Sequence, residues 1–300
     1  MRAFVLSGGG NRGPLQAGAL RALLRCGITP ELVVGSSVGA MNGLVIAVNP
    51  SPAQAERLLD LWRSAAKVRP FTFSPLRAAA NLFAGKEALA DNTSLRRFIE
   101  AAMPPGVRTF GDLRLPLYVT ICHLRTYTLY LYGDDPTAPL VDAVITSAAV
   151  PGFFPPTYQD SQAFVDGGVI SNLPLKVALA RGATEIWALD LALDVEPEAP
   201  INGAFGIVGW SVRRALYEGV LRELEWAVAQ PGVVLHHIAL KGYQSVALGE
   251  WQHTEAMLAE GEQVAQAYLA APKPNVITYP RSFCAERLPP GPPGAKPFCL

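Results

Sequence analysis

Two hydrophobic periods alternate along this chain. Short unbroken apolar runs read as buried strands at Ala3–Ser7, Leu32–Gly35, Ala163–Val165, Thr184–Leu189 and Val233–Ala239. Between them, apolar residues recur every three or four positions, the spacing of a helix with one buried face. That spacing predicts helices over Leu15–Arg25, Val38 to about Val48, Ser51 or Pro52 to about Lys67, and 93–103. Further helices are predicted over Ala138–Ala149, from Pro174 onward, and over Gly209–Ala229 and Thr254–Ala271. Asn49-Pro50-Ser51-Pro52 stops one helix and opens the next, because proline lacks the N–H a helix interior needs but suits its first turn. Leu117–His123 and Thr126–Tyr132 read as a strand pair across a short polar turn. A βαβα opening of this kind predicts the α/β class, with a parallel sheet covered by helices.

Two stretches break the pattern. Residues 68–92 lose the period and mix aromatics with prolines, which predicts a surface excursion over a site. Its Phe71, Phe73, Leu76, Leu82 and Phe83 either line an acyl-chain groove or pack on the core. Residues 272–300 are proline-rich and read as an extended tail following one large domain at 1–271. With half of its 300 residues hydrophobic, the chain can bury a sizeable core.

Charge narrows the partners. Twenty-five Lys+Arg balance 25 Asp+Glu, which supplies no electrostatic reason to expect nucleic acid and no polybasic run for an anionic membrane. The apolar stretches are shorter than the ~20 residues a bilayer span requires. The first residues carry no export signal, so a cytoplasmic location is expected, peripheral at a membrane at most. The four cysteines form no CxxC pair and no metal-ligand spacing with histidine. Cys26 and Cys122 sit among apolar neighbours and are expected to be buried thiols, whereas Cys284 and Cys299 bracket the tail.

Three glycine-rich signatures carry the candidate chemistry. The first two are Gly8-Gly9-Gly10-Asn11-Arg12-Gly13 and Gly35-Ser36-Ser37-Val38-Gly39; Asp166-Gly167-Gly168 is the third. Gly-x-Ser-x-Gly between a strand and a helix describes a nucleophile elbow, with small residues two before and two after the serine because the turn is crowded. Ser37 is centred between the glycines, and Ser36 is the rival. At a helix N-terminus the free N–H groups favour developing negative charge, so the Val38 amide is a natural oxyanion donor. The glycine run suits a loop whose amides, at Gly8, Gly9 and Gly10, converge on the same oxyanion. It also satisfies the dinucleotide fingerprint, so a non-catalytic nucleotide- or lipid-binding protein is the competing reading. That fingerprint wants an acidic residue at the end of the second strand, about 20 residues on. Here the strand ends in Gly35-Ser36-Ser37, and Glu31 lies at its wrong end.

The serine needs a base. None of His123, His236, His237 and His253 sits in a glycine-rich loop at a strand end, although His236 or His237 would serve a conventional triad. Asp166 has the better setting, ending a strand and followed by two glycines; Asp190, also at a strand end, is its rival. A lone carboxylate is a weak base with a pKa near 3.9, so it needs direct contact and desolvation, which the apolar loop Val150–Pro156 can supply.

In this order the three motifs resemble those of the patatin-like phospholipases. Ser147-Ala148-Ala149-Val150-Pro151-Gly152-Phe153-Phe154-Pro155-Pro156 and Asn172-Leu173-Pro174 extend the resemblance, which covers about residues 3–190. It implies a three-layer α/β/α fold and a Ser37–Asp166 dyad that cleaves lipid esters through an acyl-enzyme. The amides of the glycine loop and Val38 would hold the oxyanion, with no metal or organic cofactor. Val38 stands where the family often has alanine. The implied partner is a lipid ester met in transient contact with a membrane surface; no oligomeric state is implied.

Overall fold

In a computed structural model the described residues are 1–70, 74–191, 203–244, 246 and 249–279. The strands are β1 (Arg2–Leu6), β2 (Leu32–Gly35), β3 (Leu117–His123), β4 (Thr128–Tyr132), β5 (Thr157–Gln159), β6 (Gln162–Asp166), β7 (Glu185–Asp190) and β8 (Val234–Ala239). Helices α1 (Gly13–Arg25), α2 (Val38–Val48), α3 (Pro52–Val68), α4 (Pro75–Phe83) and α5 (Thr93–Ala102) come from the first third of the chain. They are followed by α6 (Leu140–Ser147), α7 (Leu175–Ala180), α8 (Gly203–Val228) and α9 (Thr254–Ala270). Hydrogen-bonded neighbours run β5–β6–β3–β2–β1–β7–β8, with β4 also pairing β3. β3, β2, β1, β7 and β8 are mutually parallel, and β4, β5 and β6 are antiparallel to their partners.

Side chains alternate across a strand, so β1 feeds both layers. Phe4 and Leu6 enter a core built with α1, α2, α3, α5, α6 and α9. Ala3 and Val5 enter a second core with α7, α8 and Tyr279. Both faces of the central strands are thus buried, which explains why they read as unbroken apolar runs. This is the expected three-layer α/β/α architecture around a mainly parallel sheet. The boundary predicted at Ser51-Pro52 is realised: the Ser51 hydroxyl accepts the Gln54 N–H at 3.3 Å, and proline fills the first turn.

Several expectations change. Residues 75–83 form α4, hidden in sequence because a nine-residue, alanine-rich segment shows barely two turns of period. Its Leu76, Leu82 and Phe83 are exposed, neither lining a groove nor packing on the core; Phe71 and Phe73 lie outside the described residues. α8 starts at Gly203, earlier than predicted, because its first turns are apolar on every side. β5, at three residues, is too short to show a strand period in sequence. Cys26 is exposed, since it caps the end of α1 where the chain turns to solvent. Cys122 is buried as expected, while Cys284 and Cys299 lie outside the described residues. The segment read as the start of the tail is described to Tyr279, with Asn275 paired to Leu235 of β8.

Candidate active site

The turn between β2 and α2 holds Ser37 at φ 54°, ψ −126°. A non-glycine residue at positive φ costs on the order of 1–3 kcal/mol and persists only where its surroundings enforce it. Here they do. The Ser36 N–H donates to the Leu6 carbonyl at 3.1 Å, the Gly39 N–H to the Ser36 carbonyl at 2.8 Å, and the Ser37 N–H to Ser147 Oγ at 2.8 Å. Gly39 is required because a Cβ there would lie 2.2 Å from the Leu6 carbonyl oxygen, so α2 could not approach β1 so closely. Ser37 lines two cavities. Its rival Ser36 is fully buried, lines neither, and its hydroxyl has no partner among the described residues.

Strand register brings Asp166 to the serine. β4 occupies Val119–His123 on one edge of β3. The other edge is shared, with β2 ending at Gly35 against Val119 and β6 ending at Asp166 against Ile121. The two strands therefore meet end to end, and their terminal turns converge. Ser37 and Asp166 line the same cavity, where the serine hydroxyl faces the carboxylate and favours its ionised form, and the Gly168 N–H donates to its Oδ1 at 2.7 Å. Gly167 begins the tight turn that aims this N–H back at the carboxylate. Burial pushes Asp166 up to about 6, against the opposing pull of the Ser37 hydroxyl and the Gly168 N–H.

The glycine loop lies alongside. A Cβ on Gly9 would sit 2.5 Å from the Leu191 side chain, so the loop rests on the end of β7. Among the described residues, the N–H groups of Gly9, Gly10 and Val38 have no protein acceptor. Gly8 departs from expectation: its N–H donates to the Asn172 carbonyl at 3.0 Å and is not available to an oxyanion. Asn11 and Arg12 are buried; Asn11 anchors the loop by donating to the Glu250 carbonyl at 2.6 Å. Gly13 opens α1. Arg12 is lowered to about 10, by burial first and then by the neighbouring charge of Arg213, while Asp190 opposes the shift.

The histidines are engaged elsewhere. His123 contacts Thr126, His236 stacks on Trp187 and bonds Tyr268, and His253 packs on Tyr243. His237 bonds Asp190, the rival aspartate, in a separate buried cluster. No histidine of the described residues lines either cavity at Ser37.

The two cavities differ in chemistry. One, of about 70 Å³, is a narrow apolar slot lined by Val38, Met41, Val45, Leu58, Trp62 and Phe98 among others. The other, of about 380 Å³, is bounded by Gly9, Gly10, Arg12, Asp166, Asn172 and Arg213. Ser147 and Asn172 both stand in motifs of the chain, yet nothing local to them marks their roles at the site. Arg213 and Gln244 also belong to the site, and no local motif marks them. Arg213 lines the polar cavity from α8, held by the Gln244 carbonyl at 3.1 Å and its Oε1 at 2.9 Å.

Comparison with known proteins matches residues 4–179 to the family model described as patatin-like phospholipase. Patatin-like phospholipase domain-containing protein 7 of Mus musculus is 29% identical over 211 residues, covering 69% of this chain and 15% of that protein. The lysophospholipase NTE1 of Mycosarcoma maydis is 26% identical over 217 residues, covering 70% of this chain and 10% of that protein. The chain thus spans about a seventh or less of the length of these curated relatives. Among solved structures, VipD from Legionella pneumophila aligns with a TM-score of 0.48 at 15% identity, over 90% of this chain and 67% of that one. With its three motifs in order and the family model covering more than half its length, this chain belongs to the patatin-like phospholipase family.

Proposed function

We propose that this protein hydrolyses carboxylic esters of lipids through a Ser37–Asp166 dyad. The observation that carries the reading is the meeting of Ser37, at the strained turn after β2, with the buried carboxylate of Asp166, at the end of β6, on the wall of one cavity where the apolar slot also opens. Ser37 Oγ attacks the ester carbonyl while its proton passes to Asp166. The resulting oxyanion takes hydrogen bonds from the free amides of Gly9, Gly10 and Val38, each typically worth about 3 kcal/mol of barrier. Collapse breaks the ester C–O bond, and the departing alkoxide takes the proton from Asp166. Water then attacks the acyl-Ser37 carbonyl, Asp166 again receives the proton, and the fatty acid leaves with Ser37 restored.

The apolar slot suits an acyl chain. Arg12 and Arg213 at the polar cavity suit an anionic headgroup, in keeping with the phospholipase and lysophospholipase names of the relatives. No helix of the described residues is long and apolar enough to cross a membrane, so lipid would be reached by surface contact.

A fluorophosphonate probe tests the assignment by intact mass. We expect one adduct on the wild type, none on Ser37→Ala, and labelling at least 100-fold slower on Asp166→Asn. No adduct on folded wild type would remove the hydrolase reading and favour a binding protein.

A further inference from the structure

Asp190, at the end of β7, is fully buried and takes no part in the proposed dyad. Its Oδ2 accepts hydrogen bonds from the Tyr279 hydroxyl and from His237 Nε2, the latter at 3.3 Å. The Thr278 N–H donates to His237 Nδ1 at 3.2 Å, so that nitrogen is the acceptor and the ring proton sits on Nε2, facing Asp190. Thr278 Oγ1 donates to the His237 carbonyl at 3.3 Å. Asn275 exchanges two 2.8 Å bonds with Leu235, and the Tyr279 ring packs on Tyr217 and His237. Residues 275–279 thus form a strap pinned along β8, with its last described residue driven into the core.

The strap reaches the site through β7. The Asp190 carboxylate acts electrostatically on buried Arg12, which belongs to the glycine loop. The Arg12 N–H donates to the Gly9 carbonyl at 3.3 Å, and Leu191, next to Asp190, lies directly beneath Gly9. Leu191 follows Asp190 directly, so the orientation of Asp190 is passed to the residue that packs against Gly9. Tyr279 and His237 fix that orientation from the far side.

We propose that Tyr279 is a positioning residue for the active site: by holding Asp190 at the end of β7, its hydroxyl fixes Leu191 against Gly9 and, together with Arg12, the glycine loop whose Gly9 and Gly10 amides the reaction uses. The catalytic half of this statement rests on the proposed function; the coupling of strap to loop does not.

The experiment compares wild type, Tyr279→Phe and Asn275→Ala in the full chain by three readouts. These are hydrogen–deuterium exchange of peptides spanning residues 7–13, steady-state turnover of p-nitrophenyl butyrate normalised to fluorophosphonate-labelled sites, and thermal midpoint. Tyr279→Phe keeps the ring and removes only the hydroxyl. It should speed exchange in the loop and lower kcat about tenfold, with KM within about twofold. In an Arg12→Lys background the same change should cost less than about twofold, because the two residues act through one network. Asn275→Ala loosens the strap away from Asp190. It should lower the thermal midpoint while leaving kcat per labelled site within about twofold. Unchanged loop exchange in folded Tyr279→Phe overturns the proposal, as does an equal loss of kcat in both Arg12 backgrounds. If Tyr279→Phe does not fold, Asp190→Asn, which keeps the shape and removes the charge, must show the same loop response or the proposal falls. A wild type that labels and turns over nothing, yet shows the loop response, overturns the functional reading and the catalytic half here while supporting the coupling.

Discussion

At the scale of single residues, Asp166 is held in tension. Burial raises it to about 6, and a base must be unprotonated to accept the Ser37 proton. Activity on a short soluble ester should therefore climb as pH rises through about 6 and level off above it; a kcat/KM profile from pH 4.5 to 8 measures the limb. A flat profile across this range would show that no base titrating near 6 limits the reaction. The same shift has a sign for stability. The folded state binds this proton more tightly than the unfolded chain, so its contribution is full below about 4 and is lost as pH rises through about 6. At pH 7 the ionised, buried carboxylate therefore costs folding free energy, and Asp166→Asn should be more stable than wild type by on the order of 1–3 kcal/mol. Urea unfolding of the two proteins at pH 7 measures it, and equal stabilities would refute it.

Elements meet the site through close backbone contacts. α1, which follows the glycine loop, is clamped by α9: a Cβ on Gly261 would lie 1.9 Å from the Leu15 carbonyl oxygen, and one on Gly18 would lie 2.0 Å from that of Leu258. Backbone atoms cannot yield as a flexible side chain does. Gly261→Ala should therefore push the helices apart and destabilise the fold by about 1–3 kcal/mol, read as a lower urea midpoint at unchanged slope. The helix boundaries themselves were largely legible, because caps and prolines act locally. Those of α4 and of the start of α8 were not, since a nine-residue helix spans too few turns to establish a period and the first turns of α8 are apolar on every side.

For the molecule as a whole, two cavities meeting at one serine, one almost wholly apolar and the other carrying Arg12, Asp166 and Arg213, set the expected specificity. Val45 lines the apolar slot and is nearly buried. Val45→Phe should fill it, shifting preference from long to short acyl chains by roughly tenfold in the ratio of kcat/KM, since each lost methylene contact is worth about 0.8 kcal/mol. Turnover of p-nitrophenyl palmitate against butyrate measures the ratio. An unchanged ratio with both rates intact would place the acyl chain elsewhere.

What the linear chain settled by itself is what neighbouring residues decide. Buried strands announce themselves as apolar runs, the Ser51-Pro52 start follows from capping, and the crowded turn around Ser37 needs glycines two residues away on either side. What only tertiary structure decided are relations between distant segments. Two strand ends meeting along β3 bring Asp166 to Ser37, and the Asn172 carbonyl takes the Gly8 amide out of the set of free donors. Arg213 turns from α8 into the polar cavity, and Tyr279 reaches Asp190 from the far end of the described chain. These contacts leave no local pattern, because the free energy that selects them comes from burying and pairing groups that the chain's own neighbours never see.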